Sequence, residues 1–295
     1  MRVAAILIFV CGLRAQPAPL FDFHSGFWVN LHQFLYAQAA DAKSPRSGSP
    51  EWQQAVAYYR RELKHDLLQD DMAAINNRLA HTDAAEKPDV ESKLAAILEG
   101  AAAEYRKTWW AEHDAASRAW MAAMQPLLAR YGADMKRDIA GTFQTSWPSV
   151  PVRTEVAAKA GWAGAYTTEN PTLITVSSTN ATYQGLSGVE MLFHEASHSL
   201  DSKVNAALTA ELKSRKMLFR RRAFGHAVLF YTAGEIARRH LGDYQPVGIK
   251  EGILERGWPG SLAVLEKDWK PYLDGKTTFA DAVQALVTDY GEPQK

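Results

Sequence analysis

Residues 188–201 read Gly-Val-Glu-Met-Leu-Phe-His-Glu-Ala-Ser-His-Ser-Leu-Asp and contain a spacing that folding alone does not demand, His194 and His198 four apart with Glu195 between them. On a helix the two histidines stand one turn apart, so both imidazoles leave the same face and can share one metal ion. Glu195 sits beside them, where its carboxylate can take a proton from water held on a zinc ion with an open coordination position. With 9 histidines in 295 residues, chance supplies roughly 0.02 copies of this pattern. The helical context is present too: Ser187 and Glu190 have the spacing of a capping box, and the apolar residues Val189, Met191, Leu192, Phe193, Ala196 and Leu200 accompany them.

Two histidines leave a zinc ion underligated, so a third protein ligand is expected from another element. Residues 225–240 read as a mostly buried helix, apolar nearly all round from 227 to 233. A carboxylate buried there is costly unless a cation compensates it, which makes Glu235 the leading candidate. An ordinary ion pair with Arg238 or Arg239 is the alternative reading of Glu235. His226 is the competing ligand, nine residues earlier and nearly opposite on an ideal helix. If it is not a ligand, His226 or Tyr231 could donate a hydrogen bond to a developing oxyanion. Asp201, seven residues after His194, returns to the same face and could orient a ligand.

The motif segment resembles the active-site helix of the zincin metallopeptidases. That resemblance implies His194 and His198 as zinc ligands and Glu195 as general base. A ligand glutamate on a later helix is similar to the gluzincin arrangement, with one departure: Arg239 stands where those enzymes often place an acidic residue. The resemblance also implies an edge strand just before the motif helix, pairing with extended substrate. It covers only residues 188–201 directly.

The elements that must position these groups form a chain long enough for a large core, with 47% hydrophobic residues. Basic and acidic residues balance at 33 each, so charge gives no argument for nucleic acid as partner. Met1-Arg2, the apolar residues 3–10 and a cleavage site after Ala15 resemble a short secretory signal peptide. The single cysteine, Cys11, lies inside it, which leaves the mature chain without a disulfide. Val10 before Cys11 is bulkier than a lipid-anchoring signal prefers, and no run approaches the roughly 18 apolar residues of a membrane span. The expectation is an exported protein, periplasmic or extracellular.

Along the chain, helical periodicity predicts helices over residues 23–39 and 51–80 and two or three more within 89–140, one of them broken or bent at Pro126. His32 reads as a hydrogen-bonded core histidine and His65 as a surface one. Past Trp147-Pro148 the character changes: residues 150–156 and 172–177 have strand composition, with 161–170 a loop between them. Residues 204–218 continue helical, six basic residues fall within 213–222, and two amphipathic helices close the chain. The 9 tryptophans would suit sugar stacking in an exported protein, but their spacing among apolar helix positions makes core packing the better reading.

The fold expected is predominantly α (α+β): an N-terminal helical bundle packed on a zincin-like domain with a small β-sheet and an active-site helix. The expected organisation is residues 1–15 signal peptide, 16–148 helical region and 149–295 metallohydrolase domain. The expected activity is a zinc-dependent metallopeptidase acting on a peptide or protein substrate, with catalytic Glu195, His226 and Tyr231 and zinc on His194, His198 and Glu235. The alternatives are a zinc hydrolase of a non-peptide amide or ester, and a non-catalytic helical binding protein.

Overall fold

The computed structural model describes residues 19–41, 48–169 and 171–294. The expected signal peptide, Cys11 and most of the loop before residue 50 lie outside them. The architecture is mostly helical α+β around a small mixed sheet of four strands, β1 (Phe21–His24), β2 (Val152–Ala157), β3 (Ala165–Thr168) and β4 (Leu173–Ser177), in the order β1-β2-β4-β3. β1 runs parallel to β2 and β2 parallel to β4, while β3 is antiparallel to β4.

β4 is the strand expected at the edge, but it lies inside the sheet. Its five residues are all buried, and a run apolar on both faces is what a doubly covered strand requires. Ile174 and Val176 enter the larger core, while Leu173 enters a second core on the opposite face. The edge beside the motif is β3, in the stretch expected as a loop. Gly164 turns the chain into it at φ +80, where a Cβ would lie 2.0 Å from Asn180 Nδ2, so only glycine fits.

The first half supplies α1 (Phe27–Ala40), α2 (Pro50–Glu62), α3 (Asp70–Ala80), α4 (Ser92–Tyr105) and α5 (Ala111–Thr142). α2 opens with the Ser49 side chain accepting from Trp52 N at 3.2 Å and Pro50 in the first turn. The single helix expected over 51–80 is interrupted at residues 63–69. There the Asp66 carboxylate accepts from Leu68 N at 3.0 Å, a local turn bond that competes with the helical ladder. A π-helical segment, Arg106–Trp110, joins α4 to α5. α5 runs on through Pro126 for 32 residues. Pro126 is exposed, so the carbonyl it leaves unpaired can meet water. Trp120, Met124, Met135 and Ile139 meanwhile hold the helix on the larger core.

The second half continues with α6 (Leu186–Ser197), α7 (Ser202–Arg215), β5 (Met217–Phe219) and α8 (Phe224–His240). The short helices α9 (Val247–Lys250), α10 (Ile253–Gly257), α11 (Ser261–Val264) and α12 (Lys270–Leu273) lead to α13 (Phe279–Tyr290), after which β6 (Gly291–Pro293) pairs antiparallel with β5. Only α13 of the two closing helices is continuous, capped by Thr278 accepting from Asp281 N at 3.1 Å. The larger core gathers residues from Phe21 to Tyr290, including α5, α6, α8 and α13; the second lies among α1, α2 and α4. Among the described residues no helix is long and apolar enough to cross a membrane.

Candidate metal centre

α6 carries the motif through the middle of the molecule. From Gly188 to Ser197 every residue is buried, and Gly188 lets the helix approach its neighbours: a Cβ there would lie 2.9 Å from Tyr183 O and 3.0 Å from Met124 Sδ. The expected capping box does not form. Gly185, at φ +56, precedes the helix without a side-chain cap. Glu190 turns instead to the chain beyond α8, accepting from Tyr244 Oη and from Val247 N at 2.9 Å. Burial pushes its carboxyl up to about 7 against those two bonds.

The helical backbone continues through His198 (φ −58, ψ −34), so the two motif histidines do share a face. α8 packs across α6 and brings His226, in its first turn, against them. The His194 and His198 ring centres are 5.2 Å apart, His194 and His226 5.2 Å, and His198 and His226 5.0 Å. One ring nitrogen from each lies within 4.8 Å of the others. Nε2 of His226 and Nε2 of His194 are 3.3 Å apart. Two nitrogens each about 2.0–2.1 Å from a tetrahedral zinc would sit about 3.3–3.4 Å apart, so this spacing suits two ligands of one ion.

The protonation states fit as well. Burial, then the neighbouring imidazoles of His198 and His226, hold His194 well below the usual histidine range. Burial, then His226, takes His198 to about 3, and burial lowers His226. All three are neutral near pH 7, as metal ligands must be. Phe230, one turn after His226, packs with its ring centre 4.2 Å from that of His194 at a tilt of 48°, and Trp258 meets His226 edge-on at 5.5 Å. His194 Nδ1 is buried without a hydrogen-bond partner among the described residues. Asp201, expected to orient a ligand, bonds to Asn205 instead.

Glu195 points into the same space. The hydroxyl of Thr167, on β3, donates toward its Oε2 at 2.7 Å and its backbone oxygen at 2.9 Å. Burial pushes the carboxyl up to about 7, partly offset by the Thr167 bond. His198 Nε2 lies 3.9 Å from Glu195 Oε2. Residues His194, Glu195, His198, His226, Thr167 and Phe230 line one end of a cleft of about 340 Å³.

Two expected site residues stand elsewhere. Glu235 is nine residues beyond His226, which carries it about 13 Å along α8 and to the opposite face. Its carboxylate is held by Arg238 at 2.7 and 3.0 Å and by Lys270 at 3.3 Å. Burial alone would raise its pKa, but those cations keep it low. The ion pair is what compensates the buried charge, and His226 takes the place beside the motif histidines. Tyr231, also buried, is absent from the cleft lining, where the tyrosines are Tyr166 and Tyr183. Sequence reading passed over Thr167, whose short strand lacks a long alternating pattern, and Trp162, 84% exposed and not a core tryptophan. His32 bonds Tyr59 Oη at 2.7 Å in the core, and His65 is exposed beside Asp71.

Compared with protein-family models, with curated proteins and with solved structures, the chain gives no significant match.

Proposed function

We propose that this chain is an exported, zinc-dependent hydrolase of the zincin kind acting on peptides or proteins. The observation that carries the reading is the convergence of His194, His198 and His226 with the Glu195 carboxylate in one cleft. In this reading the third ligand is His226, and the gluzincin subclass, which needs Glu235, is set aside. Zinc held by the three imidazoles would supply a Lewis acid for a scissile carbonyl and for an attacking water.

The chain's own groups do the rest. Thr167 fixes the Glu195 carboxylate in place beside the three imidazoles, where it can accept a proton from the attacking water and return it to a leaving amine. A peptide is favoured here over a simple ester because Ala165, Tyr166 and Thr167 of the edge strand β3 line the cleft, and pairing alongside a strand is a general way to hold the main chain of an extended peptide. The export part of the proposal rests on residues 1–15 alone.

The test is digestion of a peptide library by the zinc-loaded protein, read by mass spectrometry. Wild type should cleave, and Glu195→Gln should keep its zinc while losing at least about 100-fold in rate. Zinc bound with no peptide cleaved would retire the peptidase reading, and undiminished activity in Glu195→Gln would retire the mechanism.

A further inference from the structure

The end of the cleft away from the histidines is built by two segments outside the motif. One is the 63–69 interruption between α2 and α3; the other is the loop from β2 to β3. They are fastened together at the mouth. Trp162 Nε1 donates to Asp66 Oδ2 at 3.3 Å, and Asp66 Oδ1 is taken by Leu68 N. Gly161, at φ +56, lies so close beneath that a Cβ would sit 2.7 Å from Leu67 Cδ1. The helical first half of the chain therefore forms one wall of the cleft.

The chemistry of this wall is one-sided. Leu67, Leu68, Trp162 and Ala163 face the space from this wall, with Met191 and Phe230 on the histidine side, and among the described residues no lysine or arginine lines the cleft. Of four large hydrophobic side chains exposed among the described residues, two stand at this mouth: Trp162 at 84% and Leu68 at 59%. Single exposed apolar residues are ordinary, but a pair flanking one concave site marks a binding surface. The Asp66 carboxylate accepts one donor on each oxygen, which holds its orientation across the mouth. A cleft of about 340 Å³ lies at the small end of ligand sites, about 300–1000 Å³, room for one large side chain and its flanking backbone.

We propose that Leu68 and Trp162 form a specificity lip that selects substrates presenting a large aliphatic or aromatic side chain next to the reacting bond. The inference rests on the reading that the cleft receives substrate, and it assigns the helical first half a share in recognition. Acidic side chains meet no lysine or arginine among the described residues of the lining, and the selection proposed is for apolar bulk against Leu68 and Trp162 over the attraction of a lysine to the exposed Asp66 carboxylate.

The experiment measures binding without turnover. The full chain, stripped of metal by a chelator, is titrated with the acetyl methylamides of leucine, phenylalanine, aspartate and lysine, followed by saturation-transfer NMR. Leucine and phenylalanine derivatives should bind at least about tenfold tighter than the charged ones. Leu68→Ser combined with Trp162→Ser should abolish that preference while leaving the zinc content measured before chelation unchanged, and Trp162→Phe should keep it. Both positions are exposed, so folding is not at stake. Equal binding of all four ligands, a preference for lysine or aspartate, no binding, or an unchanged preference in the double variant would overturn the proposal. Apolar preference without any hydrolysis by the zinc-loaded chain would overturn the hydrolase reading and leave the lip standing.

Discussion

Glu190→Gln separates the roles of the two buried carboxyls on the motif helix. Glu190 is fully buried, and burial, opposed by its bonds from Tyr244 and Val247, carries its carboxyl to about 7. Above pH 7 the native state must hold a charge that the unfolded chain carries at little cost from about 4.5 upward. Between those values the native state binds more protons, so stability is fully present below about pH 4.5 and is lost as pH rises through 7. A rise from 4.5 to about 7, at about 1.4 kcal/mol per unit, is on the order of 3 kcal/mol. Glutamine keeps an oxygen for Tyr244 Oη and Val247 N and places an amide where Oε1 has no partner among the described residues.

The assay is urea unfolding of metal-free wild type and Glu190→Gln at pH 5 and pH 8. The variant should gain on wild type by about 2–3 kcal/mol between the two pH values. The difference between proteins is the quantity to read, since other groups titrate in both. Glu195 contributes a slope of the same sign. The lowered His32 and His198, at about 4 and 3, contribute the opposite one, stability lost as pH falls below the usual histidine value. A gap between the two proteins that does not change with pH, or that narrows at pH 8, would refute the burial argument.

Thr167→Val removes the donor from the Glu195 carboxylate, and the zinc-loaded enzyme should lose roughly 10- to 100-fold in kcat with KM little changed, the loss of one charge-assisted bond of about 1.5–3 kcal/mol; an unchanged kcat would show that the bond does not position the base. Pro126→Ala restores a donor within α5 at an exposed turn and should raise unfolding stability by about 1–3 kcal/mol; a loss of stability in denaturant would mean that the helix needs its proline. Asn76→Leu should cost about 1–3 kcal/mol, because Asn76 accepts from Gln33 Nε2 at 3.1 Å and donates to Thr175 Oγ1 at 3.0 Å, and without it the buried Gln33 and Thr175 keep only their bonds to Tyr166; thermal unfolding would check it.

The sequence made the motif pair legible because a four-residue spacing on an apolar helix is a local property, settled within one turn. The third group was not, since the choice between His226 and Glu235 depends on which end of α8 crosses α6. Spacing showed that the two histidines' helix and a later one should meet, and that His226 and Glu235 face opposite ways, but not which face turns inward. Arg238 and Lys270 decide it, and Lys270 is 35 positions from Glu235. The predominantly helical character and the strands at 152–157 and 173–177 followed from composition. Their order in the sheet did not, because β1 lies more than a hundred residues before its partner β2. Asp66 was equally invisible: one turn bond breaks a helix that propensity extends through residue 80 and so creates a wall of the cleft.

Equilibrium zinc titration of the purified, chelator-stripped chain tests the metal centre most directly. The arrangement of His194, His198 and His226 predicts one tightly held equivalent in wild type, affinity lower by about 100-fold or more in His226→Ala, and wild-type affinity in Glu235→Gln, whose carboxylate faces Arg238 and Lys270. Absence of a tight site in wild type, or binding lost in Glu235→Gln and kept in His226→Ala, would contradict it.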